Sequence, residues 1–148
     1  MKKVIVQNDQ IFLEVTKLVS EGGNVTLKTK GNSMLPFIRG GRDSIVLVKA
    51  DEIKLYDIVL AEVSNNHYVL HRVIDINGNQ LTLMGDGNLK GCEKCSTENV
   101  IATAVEVVGN GKRYYCRNEQ HIREAKIWKK LLPLRRFLLA IYKLTCRI

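Results

Sequence analysis

Apolar residues recur along this chain with two different periods, and the changes of period divide it into three blocks. Ile11, Phe12, Val15, Leu18 and Val19 fall on one helical stripe. Asn8 or Asp9 can cap its start and Gly22-Gly23 its end, which predicts a helix over 8–21. From about 24 to 116 the pattern becomes short β-branched runs at 25–27, 44–48, 58–63, 68–75, 80–84 and 100–108, separated by turn residues. Asn65-Asn66, Asn77-Gly78-Asn79 and Gly109-Asn110-Gly111 tolerate positive φ and so specify hairpins and antiparallel pairing. Beyond residue 118 the helical period returns. Pro133 has no amide hydrogen and disfavours helix at Leu132, so two short helices or one kinked helix are expected there.

The predicted fold is therefore mainly β: a compact antiparallel β domain over residues 1–117, including the N-terminal helix, with a basic helical tail over 118–148. At 148 residues and 45% hydrophobic content the chain can bury one core. The N-terminus turns polar after Val4-Ile5-Val6, too short for a signal-peptide core, and no uncharged stretch reaches the roughly 18 residues of a spanning helix. A cytoplasmic protein is expected, at most peripheral at the inner membrane.

Charge sharpens the reading of the tail. The net charge is +8, yet residues 1–111 carry 12 Lys+Arg against 13 Asp+Glu, while residues 112–148 carry 11 against 2. The tail's cations alternate with Ile127, Trp128, Leu131, Leu134, Phe137, Leu138, Ile141 and Leu144 at spacings of three and four. That is an amphipathic basic helix, suited to the β domain, a partner or an anionic membrane rather than to nucleic acid.

The candidate chemistry lies in Gly31-Asn32-Ser33-Met34-Leu35-Pro36, a turn after the first predicted strand. A serine hydroxyl becomes a nucleophile only when a base takes its proton. His71, in Tyr68-Val69-Leu70-His71-Arg72-Val73-Ile74, is the candidate base. Taken singly, each has a plainer reading: loop serines usually bond their own backbone, and strand histidines are usually half-buried packing residues. The ordered set changes that balance.

Gly31 to Pro36, Arg39-Gly40-Gly41-Arg42-Asp43, Lys54-Leu55-Tyr56-Asp57-Ile58-Val59, His71-Arg72-Val73 and Gly85-Asp86-Gly87-Asn88 follow one another in that order. Over about residues 25–108 this set resembles the signal peptidase I superfamily, which includes the LexA-like self-cleaving repressors. It is most similar to the Ser-His, endoplasmic-reticulum-like branch. The resemblance implies a signal peptidase/LexA type β domain and a serine endopeptidase that cleaves a peptide precursor or leader after small residues. Ser33 would be the nucleophile and His71 the general base, with the Ser33 backbone amide in the oxyanion hole and Met34 and Pro36 against substrate. No cofactor is implied. Asp86 is the first choice for the acid that orients His71, and Glu93 is the alternative. Bacterial signal peptidases add a hydroxyl two residues before the nucleophile, where this chain has Gly31, so side-chain help to the oxyanion is missing or comes from elsewhere.

Three other readings compete. A LexA-like self-cleaving protein would use the same residues on itself, although the histidine base and the missing DNA-binding domain weigh against it. A non-catalytic module binding a membrane or an acidic partner would keep the fold and lose the chemistry. Cys92, Cys95, Cys116 and His121 could ligate zinc, but a single Cys-x-x-Cys has little specificity, so no metal is assigned.

Overall fold

The computed structural model describes residues 2–5 and 9–147. Among these residues nine strands form one sheet: β1 (Lys2–Ile5), β2 (Val25–Lys28), β3 (Ser44–Lys49), β4 (Ile58–Ser64), β5 (His67–Asn77), β6 (Gln80–Met84), β7 (Glu93–Ser96), β8 (Val100–Gly109) and β9 (Lys112–Tyr115). The order is β1-β2-β3-β8-β4-β5-β6-β7, with β9 paired to β8. All pairings are antiparallel except β1 with β2. The mainly β architecture and its hairpins thus follow the sequence pattern. Asn66, Gly78, Asn110 and Gly111 take positive φ in the tight turns that join β4 to β5, β5 to β6 and β8 to β9.

Helix α1 (Asp9–Ser20) matches the predicted N-terminal helix, and Asn8, the other proposed cap, lies outside the described residues. Strands β1 and β7 were not anticipated. β7 begins only two residues after Gly91 and carries Glu93-Lys94-Cys95-Ser96, a run with no apolar alternation to betray a strand.

β4 explains how one sheet supports two cores. Its Ile58-Val59-Leu60-Ala61 run is buried throughout, with alternate residues facing opposite sides. Ile58 and Leu60 join a core with Val15, Val19, Leu27, Met34, Ile45 and Leu47, while Val59 and Ala61 join one with Val73, Leu81, Leu83 and Cys95. The first core is capped by α1; the second is closed by the β5-β6-β7 meander.

The tail forms α2 (Glu119–Lys130), a 3₁₀ turn (Leu132–Leu134) around Pro133, and α3 (Arg135–Cys146). Asn118 caps α2 by accepting the Gln120 amide at 2.8 Å. The inner face packs Trp128 and Leu139 on Leu35, with Phe37, Leu138 and Tyr142 around them. Trp128 also donates its indole N–H to the Asp86 carbonyl at 2.7 Å. No helix among the described residues is long and apolar enough to cross a membrane.

Because Trp128 is both buried and hydrogen-bonded, Trp128→Ala is expected to cost about 3–5 kcal/mol in urea unfolding. The exposed Phe137→Ala should change stability by less than about 0.5 kcal/mol. Equal effects of the two substitutions would contradict this packing.

Candidate active site

The loop between β2 and β3 carries Ser33 and is tied at its base. Thr29 donates its amide and hydroxyl to the Asp43 carbonyl at 3.0 and 2.7 Å, and the Asp43 carboxylate accepts the Arg39 amide at 2.8 Å. Inside that closure, the Leu35 amide bonds Asn32 O and the Ile38 amide bonds Met34 O, so Ser33 sits at the head of a turn. Gly31 has φ +80° and its carbonyl lies against Gly40. A hydroxyl-bearing residue at position 31 would be strained, which is a structural reason for the missing side chain there.

His71 is placed by strand parity. In register, Val73 pairs with Leu83 and Leu83 with Glu93, so the three side chains share one face of the sheet. His71, two residues before Val73, shares it too. Its Nδ1 meets Glu93 Oε1 at 2.6 Å. Asp86 is not the partner, which corrects the first choice made from sequence. Arg72 points to the other face, and the turn that follows β6 at Met84 brings Asp86 to it. Both Asp86 oxygens accept from Arg72, at 2.8 and 2.7 Å.

The Gly85-Asp86-Gly87 segment joins the two halves of the site. The Gly87 amide donates to Ser33 O at 2.8 Å. A Cβ on Gly85 would collide with Ser33 O and stand 3.0 Å from His71 Nε2, and one on Gly87 would collide with Asn32 O. Glycine is required at both positions because backbone lies directly on backbone. Ser33 and His71 both line a cavity of about 210 Å³, whose other walls are largely apolar and include Leu27, Met34, Ile45, Leu60 and Leu70. Among the described residues no hydrogen bond joins the Ser33 hydroxyl to His71. Met34 lines the cavity; Pro36 does not.

One contributor was not anticipated. Phe12 of α1 stacks on Tyr68 of β5, ring centroids 4.6 Å apart, and both line the cavity. Phe12 was legible only as a position on an apolar stripe, because nothing local to α1 tells which strand it meets.

Beneath the site lies a buried polar cluster. Arg72, besides Asp86, donates to Tyr56 O at 3.0 Å and lies 3.3 Å from His121 Nε2, while its guanidinium carbon is 5.2 Å from the Phe37 ring centre. Burial opposes the charge on Arg72, but attraction to Asp86 and its hydrogen bonds outweigh it, and the pKa is raised. His121 moves the other way, to about 4, through burial first and the Arg72 charge second. It is therefore a neutral imidazole accepting from a guanidinium.

The zinc alternative does not survive. Cys116 is in the first core and Cys95 in the second, Cys92 is exposed, and His121 is occupied with Arg72. Burial pushes the Cys116 thiol up to about 12, which opposes the thiolate a metal needs. Among the described residues no three His, Cys, Asp or Glu side chains are grouped to hold a metal.

No protein-family model matches the chain, and no curated protein matches it closely enough to count as a relative.

Two outcomes follow from this geometry. Gly85→Ala should destabilise the protein by about 2 kcal/mol in urea unfolding, since neither backbone nor imidazole can yield freely; an unchanged midpoint would contradict the contact. His121, neutral when folded, takes up a proton on unfolding between its ordinary pKa of 6.5 and about 4. Its contribution is complete above about pH 6.5 and is lost as pH falls to 4, on the order of 3 kcal/mol. In His121→Gln, which has no such proton to bind, the stability difference between pH 7 and pH 4 should shrink by that amount.

Proposed function

We propose that the protein is a serine-type endopeptidase that cleaves a peptide precursor or leader, with Ser33 as nucleophile, His71 as general base and Glu93 as the acid that orients it. The single observation that carries this reading is the 2.6 Å bond between His71 Nδ1 and Glu93, made beside a cavity that Ser33 and His71 both line. A carboxylate there fixes the tautomer that leaves Nε2 free to accept a proton, and stabilises the imidazolium that results. Nε2 lies against Gly85, the residue that also abuts the Ser33 carbonyl.

The chemistry follows in balanced steps. Ser33 Oγ attacks the peptide carbonyl carbon while its proton passes to His71 Nε2. The carbonyl electrons move onto oxygen, which accepts a hydrogen bond from the Ser33 amide. Collapse of the tetrahedral intermediate breaks the C–N bond, the amine leaves with the proton from His71, and an ester remains on Ser33. Water, deprotonated by His71, then hydrolyses that ester and restores the hydroxyl.

Substrate binding has a matching support. The cavity runs between residues 68–71 of β5 and residues 29–31 after β2, and pairing of β5 with β6 begins only at Arg72. An extended peptide laid along this trough would be held by main-chain bonds, with one apolar side chain seated among Leu27, Ile45 and Leu60.

The test is cleavage of a library of unstructured leader-like peptides followed by mass spectrometry. Ser33→Ala and His71→Ala should abolish turnover, and Glu93→Gln should lower kcat by about 10² to 10⁴ with little change in KM. Asp86→Asn is expected to act on stability instead. Cleavage that persists in Ser33→Ala would overturn the proposal.

A further inference from the structure

Helix α3 is apolar on two opposite faces. Its inner face, with Leu138, Leu139 and Tyr142, packs on Leu35 and Trp128. Its outer face presents Phe137, Ile141 and Leu144 at 63, 58 and 80% exposure, continued by Leu134 one turn earlier. These four positions follow one another at spacings of three, four and three, so they form a single stripe. Ile127 and Leu132 extend the exposed apolar surface back along the tail. Single exposed leucines need no explanation; a continuous stripe on a helix already seated by its other face does.

The surroundings of the stripe identify its partner. Arg136, Lys143 and Arg147 are exposed and fall together on one flank of α3, and Lys126 and Lys130 are exposed on α2. No Asp or Glu follows Glu124. A second copy of the chain would bring two such basic tails into contact, which like-charge repulsion opposes. α3 has 12 residues, about 18 Å of helix, too short to span a bilayer. Apolar residues flanked by exposed cations, on a short helix lying along the protein surface, suit the boundary between anionic headgroups and acyl chains.

We infer that the outer face of α3 is a docking surface for an anionic lipid bilayer, with Phe137, Ile141 and Leu144 entering the acyl boundary and Arg136, Lys143 and Arg147 meeting lipid phosphates. This rests on the tail alone and is independent of the chemistry at Ser33. Its consequence for the site is proximity: Leu35, two residues beyond Ser33, touches the inner face, so docking holds the Ser33 turn about one helix diameter, roughly 10 Å, from the headgroups.

The experiment is co-sedimentation of the full chain with vesicles of phosphatidylcholine, alone or with one quarter phosphatidylglycerol. Partition should favour the anionic vesicles and fall about tenfold when salt is raised well above physiological strength. Phe137→Ser/Ile141→Ser, which alters no charge and no buried residue, should weaken binding about a hundredfold while the circular dichroism spectrum and melting temperature stay the same. Failure to bind either vesicle overturns the inference, as does equal binding to both or binding that the double variant leaves intact. A concentration-dependent dimer in sedimentation velocity that the same double variant abolishes also overturns it, by assigning the stripe to a second copy.

Discussion

The ion pair between Arg72 and Asp86 is the interaction on which the rest of the site depends. Both side chains are buried, and a charge is tolerated away from water only where its partners are complete. Here they are: two guanidinium–carboxylate bonds, the Tyr56 carbonyl and the neutral His121 ring. Through Asp86 the pair fixes the Gly85–Gly87 segment, which accepts Trp128 from the tail on one side and supports the Ser33 backbone on the other. Removing either partner would leave the other charged and unpaired in the interior, a loss of about 3–5 kcal/mol. The same residue that looks like a candidate for acid–base work is therefore committed to holding the loop.

This division of labour follows from the pleat of the sheet. Successive residues of β5 point to opposite faces, so His71 and Arg72 are separated by the sheet although they are neighbours in sequence. His71 meets Glu93 on one side; Arg72 meets Asp86 and His121 on the other. The tail belongs to the second side. Arg135 donates to the Asn88 carbonyl at 3.0 Å and its guanidinium lies over Trp128 at 5.0 Å, so α3 is stapled to the end of the same segment. A chain segment that looks like an appendage in composition is part of the support for the Ser33 turn.

Much of this was legible in the residues, and the parts that were not have physical reasons. Strands β2 to β6 and β8 announce themselves as apolar, β-branched runs, and β4, β5 and β8 lead into Asn and Gly turns where the backbone takes positive φ. β7 does not, because Glu93-Lys94-Cys95-Ser96 has no apolar alternation, and without β7 the position of Glu93 cannot be derived. Asp86 lies in the turn beyond β6, where the alternation of a strand no longer holds, so its pairing with Arg72 has no signature in the strand pattern. The set Cys92, Cys95, Cys116 and His121 suggested a cluster that the fold does not form, since Cys95 and Cys116 enter different cores. Long-range contacts such as Phe12 on Tyr68 and Trp128 on Asp86 have no local signature at all.

The central claim, that Ser33 is activated by a His71–Glu93 pair, is tested most directly by reacting the purified protein with a serine-directed acylating probe and locating the adduct by mass spectrometry. The account predicts a single adduct on Ser33, abolished in His71→Ala and slowed strongly in Glu93→Gln while the fold is retained. No adduct on Ser33, or one formed equally well without His71, would contradict it.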